Sequence, residues 1–182
     1  GWSQTRMDRF EEMRGNVLDP KWKLTDEDPA NPDWEDIQNK DWEDLRMATY
    51  SAQIEQMDRG IGKIVDKLKK IGELENTIIM FAADNGGCAE FLAEDSNQPN
   101  PNQFNNPGPD GKKVNFGNIS NLRPGPADTF MSYDLPWANL SNTPFRLFKR
   151  WVHEGGISTP FIVHWPEKIT NHDIINTPVQ FA

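Results

Sequence analysis

Several kinds of functional site are excluded by what this sequence has little of. A single cysteine, Cys88, stands among 182 residues, too few for an internal disulfide framework or a zinc centre built from cysteines. The three histidines, His153, His164 and His172, lack the spacing of a metal signature. No apolar run approaches the roughly 20 residues that a membrane-spanning helix needs. Excess positive charge is missing too: 19 Lys and Arg against 28 Asp and Glu leave a net charge of −9, whereas nucleic-acid binding needs clustered cations. Neither nucleic acid nor a membrane span is expected. Hydrophobic residues make up only 36% of the chain, which is low for a self-sufficient globule. The first residue is Gly1, and no charged-apolar-small leader follows it. The chain is therefore expected to be an interior piece of a longer one.

What is present divides into five stretches. Residues 1–40 form a polar N-terminal arm: Ser3 or Thr5 can cap a turn carrying Met7, Phe10 and Met13, with Gly15 to end it. Beyond it, Pro20, Pro29 and Pro32 mark an irregular connector expected to be held by Trp22 and Trp34. Residues 41–72 form a long amphipathic helix, because Tyr50, Ile54, Met57, Ile61, Ile64, Leu68 and Ile71 recur at steps of four and three. Gly72 sits at the expected C-terminal cap. Burial of that stripe, at roughly 1.5–3 kcal/mol per large side chain, predicts a packing partner. Gly60 and Gly62 each cost about 1 kcal/mol relative to Ala in a helix, which predicts close approach of a neighbouring strand.

Residues 77–87 comprise a strand and a turn. The run from Asn76 to Ala83 is apolar and β-branched at its start, suiting a strand covered on both faces in a parallel sheet. A second run, Pro160 to Trp165, reads the same way and stops at Pro166. Helix, short turn and buried strand make half of an α/β repeat, so the expected fold class is α/β, a mostly parallel sheet flanked by helices. Between the strands, residues 96–144 hold ten Asn, eight Pro and four Gly without helical or alternating pattern; loops of this length tend to be functional or disordered. The last stretch, 145–182, carries a lysine-bearing turn and the second strand.

Ligands of open α/β sheets gather beyond the carboxyl ends of the strands, where Asp84-Asn85-Gly86-Gly87 stands. Two readings fit it. One is a plain Asx turn. The other is a site for a hard cation such as Ca²⁺ or Mg²⁺, with glycines admitting a ligand closely; two oxygens cannot complete such a shell alone. A second candidate runs from Lys149 to Gly156. Residues 100–160 hold six cations, Lys112, Lys113, Arg123, Arg146, Lys149 and Arg150, against four acidic groups, and a lysine there could meet charge on an oxyanion. His153-Glu154 invites an acid-base reading, but adjacent residues rarely face one site, and a turn is the simpler account.

Together these segments resemble the sulfatase family, and within it the bacterial-type arylsulfatases. The resemblance is carried by YSAQIEQMDRGIGKIVDKLKKIGELENTIIMFAADNGGCAE (50–90) and GPADTFMSYDLPWANLSNTPFRLFKRWVHEGGISTPFIVHWP (125–166), in order and spacing more than in any one motif. It implies an alkaline-phosphatase-like α/β fold, of which this chain would be part. It also implies Asp84 and Asn85 as ligands of a calcium ion that holds a sulfate oxygen, and Lys149 as a contact to the sulfate itself. His153 has no implied catalytic counterpart.

The family's nucleophile is a formylglycine hydrate made from Cys or Ser in a C/S-x-P-x-R motif; the metal lowers its pKa and neutralises sulfate charge. Lysines and histidines assist the leaving group. That motif is absent here. Cys88 is followed by Ala89 and Glu90, and Asn142-Thr143-Pro144-Phe145-Arg146 copies the spacing but begins with Asn, so it is read as a coincidental turn. The chain alone is expected to be inactive. For the parent, the resemblance implies hydrolysis of small sulfate esters or sulfated saccharides, outside the cell or in a periplasm. The alternatives are a phosphoester or phosphonate hydrolase of the same superfamily, and a non-catalytic remnant that binds sulfated glycan. Asn118-Ile119-Ser120 and Asn139-Leu140-Ser141 match the N-glycosylation tripeptide.

Overall fold

The computed structural model describes residues 1–93 and 107–175. Helix α1 spans Trp2–Arg14 and ends at Gly15. Its N-cap is Gly1, not Ser3 or Thr5; both lie inside the helix, and the Thr5 hydroxyl donates to the Gly1 carbonyl at 3.0 Å. The buried face is Trp2, Arg6 and Phe10, one residue every helical turn, while Met7 faces solvent. Trp2 meets Trp34 edge-on at 4.6 Å and Trp137 at 5.5 Å, and Leu140 completes this core. Trp34 opens a 3₁₀ turn over Trp34–Asp36, where the Asp33 carboxylate accepts the Glu35 N–H at 3.0 Å. Trp22 packs on Phe145 with rings 5.1 Å apart, so both tryptophans hold the arm.

Arg6 is the unusual member of the buried face. Its guanidinium donates to the Thr25 carbonyl at 2.7 Å, the Thr25 hydroxyl at 2.9 Å, and the Pro144 and Phe145 carbonyls at 3.4 Å each. Burial draws its pKa below the usual arginine value, with Glu27 and Asp26 opposing; a guanidinium still remains charged at neutral pH. One buried cation thus ties α1, the arm and the 144–145 turn together.

Helix α2 runs over Lys40–Ile71 and closes on Gly72 at φ 76°, the left-handed cap expected there. Asp41 and Glu43 lie in its first turn and Lys69 and Lys70 in its last, each sign matching the helix dipole. Its first half is well anchored. Trp42 Nε1 donates to the Leu122 carbonyl at 2.8 Å, buried Arg46 bonds Glu43 and reaches the Ser132 carbonyl at 2.8 Å, and Tyr50 stacks on Tyr133 at 4.5 Å. The second half departs from expectation. Ile54, Met57, Ile64 and Ile71 are exposed, and no atom lies within 4 Å of where a Cβ on Gly60 or Gly62 would stand. Periodicity fixes which residues share a face and leaves open what covers it.

The sheet differs more. Strand β1, Ile79–Ala82, pairs antiparallel with β4, Phe161–His164, placing Ile79 opposite His164 and Ala82 opposite Phe161. Three of the four β1 residues are exposed. The expected parallel strand buried on both faces is thus corrected: an apolar run identifies a strand but not its direction, which depends on the path the chain takes back. Between them, β2 (Asn115–Phe116) and β3 (Thr129–Phe130) form a short parallel pair with stacked phenylalanine rings 5.3 Å apart. The sheets described are therefore two pairs, one of each sense.

The segment expected as an irregular loop, 96–144, lies outside the described residues up to 106, as do the last seven residues of the 145–182 stretch. Its remainder is not structureless. It contains β2, β3 and helix α3, Asp134–Ser141, whose residues Pro136 to Leu140 are all buried. Eight residues with an internal proline are too few for a helical period to emerge. Asn139, in a glycosylation tripeptide, is 1% exposed and inaccessible in the folded chain, and Asn118 is bonded to Ser132. Among the described residues no helix is long and apolar enough to cross a membrane.

The open space at Gly60 and Gly62 generates a prediction. Gly60→Ala and Gly62→Ala should each stabilise the protein by about 0.5–1 kcal/mol, read as an upward shift of the urea midpoint at unchanged slope. A loss of stability would mean that another surface lies against that turn of α2.

Candidate functional site

The carboxyl end of β1 leads straight into Asp84-Asn85-Gly86-Gly87. Pairing with the β4 side continues past the ladder: the Thr159 hydroxyl donates to the Ala83 carbonyl at 2.8 Å, and the Gly86 N–H to the Gly156 carbonyl at 2.9 Å. Next, the Lys149 N–H donates to the Gly87 carbonyl at 3.0 Å. The two stretches singled out in the sequence, about 60 residues apart, are therefore adjacent through their main chains.

Their glycines explain how closely. A Cβ on Gly86 would fall inside 3.0 Å of the Gly155 carbonyl oxygen, and one on Gly155 inside 3.0 Å of the Arg146 and Leu147 carbonyl oxygens. Gly156 would strike Trp151 and Phe148 carbonyls, and Gly87 the Tyr133 hydroxyl. Gly86, Gly155 and Gly156 admit backbone, and Gly87 admits the Tyr133 side chain. Helix α4, Glu154–Ile157, carries two of them, both buried, with His153 as its exposed N-cap. The His153 carbonyl accepts from Gly156 at 2.7 Å, the turn role its neighbours suggest.

Asn142, which the sequence placed in a coincidental turn, lies between the two motifs. Its Oδ1 accepts the Gly87 N–H at 2.7 Å, and its Nδ2 donates to the Leu147 carbonyl at 2.9 Å. Both ends of the Gly87 residue are thereby held, one by the Asn142 side chain and one by the Lys149 main chain. Leu147 and Arg150 flank Lys149 at φ 65° and 85°, a region non-glycine residues occupy only under constraint. Below, Tyr133 is stacked on Tyr50. Burial pushes its pKa well above the normal tyrosine value, so its hydroxyl stays protonated at neutral pH.

The side chains that would face a ligand are freer. Asp84 is exposed, and its carboxylate makes no hydrogen bond or ion pair among the described residues. Asn85 is half-buried and donates its Nδ2 to the Gly86 carbonyl at 2.7 Å, which leaves its oxygen as the available end. Lys149 Nζ lies 3.6 Å from Glu90 Oε1, both partly exposed. Asp84 and Asn85 are hard oxygen donors suited to calcium, and fit that ion as two members of a larger shell. Among the described residues no group of three or more His, Cys, Asp or Glu could hold a metal. Cys88 is a half-buried free thiol.

Comparison with known proteins adds an independent finding. The Sulfatase family description matches residues 16–181. The chain belongs to the sulfatase family. An uncharacterized sulfatase of Schizosaccharomyces pombe is 33% identical over 149 residues, covering 75% of this chain and 24% of that protein. An arylsulfatase of Klebsiella aerogenes is 33% identical over 132 residues, covering 71% of this chain and 25% of that one. A steryl-sulfatase of Mus musculus is 23% identical, covering 71% of this chain and 14% of the relative. The chain spans about a quarter of the length of the first two.

Steric contact at the interlock gives a sharp expectation. Gly86→Ala and Gly155→Ala should each destabilise by about 3 kcal/mol or more, because a new methyl must displace backbone rather than a flexible side chain. Gly15→Ala, at an open helix end with negative φ, should cost far less. Thermal denaturation of the three variants would decide; a Gly86→Ala melting temperature equal to that of Gly15→Ala would show that the two motifs are not in contact.

Proposed function

We propose that the protein to which this sulfatase-family chain belongs hydrolyses sulfate esters, with Asp84, Asn85 and Lys149 gathered at one tetrahedral anion. The observation that supports this reading most directly is the Lys149 N–H bond to the Gly87 carbonyl. It holds the lysine-bearing turn against the turn that carries both oxygen donors.

Each residue has a distinct task in this reading. Asp84 and Asn85 present oxygens toward a calcium ion, supplying one formal charge and one neutral dipole. When bound, that ion would neutralise sulfate charge and lower the pKa of the attacking group. Lys149 carries three N–H donors on a mobile stem, so its head can leave the exposed Glu90 carboxylate and meet a sulfate oxygen. Because such surface pairs are worth at most about 1 kcal/mol, the exchange costs little. Glu90 would then keep the ammonium near the mouth when substrate is away. Lys149 thus stabilises charge, and no proton transfer is assigned to it. The strained residues on either side limit how far its main chain can drift.

The nucleophile is not supplied here. No C/S-x-P-x-R motif occurs in these 182 residues, and Asn142 of the nearest imitation is engaged in two hydrogen bonds. We expect the 182-residue chain by itself to release no 4-nitrophenol from 4-nitrophenyl sulfate; measurable turnover by the purified chain would refute the assignment of the nucleophile to other residues. In the full-length enzyme, Lys149→Ala should lower kcat for the same substrate by about 10²–10³, the usual loss for one preorganised donor to a developing anion. A kcat within twofold of wild type would remove Lys149 from the site.

A further inference from the structure

The Asn142 carboxamide joins the main chain of Gly87 to that of Leu147, two residues before Lys149, and its two ends do different work. Oδ1 takes the Gly87 N–H at 2.7 Å; Nδ2 gives a proton to the Leu147 carbonyl at 2.9 Å. The Lys149 N–H closes the circuit on the Gly87 carbonyl at 3.0 Å. Going round, the chain passes from Asn142 to Gly87, to Lys149, back along the backbone to Leu147, and again to Asn142. Leu147 and Arg150, the two positive-φ residues of this stretch, sit on either side of Lys149. Such conformations are unfavourable for non-glycine residues and persist only where neighbours over-determine them. The bond from Asn142 to the Leu147 carbonyl is one such determinant.

We propose that Asn142 is a positioning residue for sulfate-ester cleavage: its carboxamide sets the distance and orientation of Lys149 relative to the Asp84-Asn85 turn. This rests on the reading of Lys149 given above. The residue type follows from the task, since the bridge needs an acceptor and a donor on one short planar group. Aspartate keeps an acceptor for Gly87 but sets a charged oxygen against the Leu147 carbonyl. Alanine loses both contacts. The location suits the role, because Asn142 is the C-cap of α3, whose buried Trp137 and Leu140 fix it to the tryptophan core.

A double-mutant cycle in the full-length enzyme tests this, with 4-nitrophenyl sulfate as substrate. Asn142→Ala should lower kcat by about 10–100-fold, as misplacement by an ångström can, with KM changed less than threefold. Because it acts through Lys149, the Asn142→Ala/Lys149→Ala enzyme should be no more than about twofold slower than Lys149→Ala alone. Full multiplication of the two effects, or a kcat for Asn142→Ala within threefold of wild type, overturns the proposal. Should the alanine variant not fold, Asn142→Asp carries the same cycle with the same criteria. Amide hydrogen exchange of the wild-type enzyme reads the bridge without reference to activity. The Gly87 N–H should be protected, and Asn142→Ala, which removes its acceptor, should lower that protection at least tenfold; an unprotected Gly87 N–H in the wild type overturns the proposal. An inactive role for Lys149 would instead appear as an unaffected Lys149→Ala enzyme, with Gly87 still protected.

Discussion

The D-N-G-G turn approaches the Gly155 carbonyl so closely that Gly86 can carry no side chain, and the rest of the site depends on that contact. The D-N-G-G turn and the K-R-W-V-H-E-G-G turn are distant in sequence and bear opposite charge. The turns meet because glycine lets the main chains touch, not because the charges attract. An exposed ion pair is worth at most about 1 kcal/mol, too little to order two loops. Main-chain hydrogen bonds from Gly86 to Gly156 and from Lys149 to Gly87 are the stronger constraint.

Support for that contact runs back to the tryptophan core. Trp2, Trp137 and Leu140 hold α1 against α3, and α3 delivers Asn142 at its end. Arg6, on the same face of α1, grips the Pro144 and Phe145 carbonyls just beyond it. The polar arm is therefore part of the scaffold behind Lys149. A buried cation is a costly way to make such a joint unless its donors are used; here four of the guanidinium's hydrogen bonds go to three residues.

The long helix was legible almost to the residue because seven apolar positions repeat from Tyr50 to Ile71 and a glycine stands at the cap. Both strands were legible as apolar runs. Their antiparallel sense was not, since direction is decided by the intervening path, which the sequence showed only as rich in Asn and Pro. Helix α3 escaped notice for the same reason: its burial comes from contacts with Trp2 and Trp34, remote in sequence. Asp84, Asn85 and Lys149 could be singled out by their place in motifs. Asn142 could not. An amide in an Asn-rich segment carries no local signal, and a donor-acceptor bridge is visible only when both its partners are in place. The one available hint was that it stands at the head of N-T-P-F-R, seven residues before Lys149.

The glycines show most clearly where a local reading and a folded chain diverge. From the sequence, two glycines after Asp84-Asn85 suggest room for a ligand to approach the backbone. In the structure that room is filled by the Gly155 carbonyl at Gly86 and the Tyr133 hydroxyl at Gly87, so the glycines act on Asp84 and Asn85 indirectly, by fixing the turn that bears them. On the outer side of the turn Asp84 is exposed and the Asn85 oxygen is free. Lys149 has its main chain pinned and its head still partly in solvent. Rigidity resides in the backbone interlock and adaptability in one long side chain.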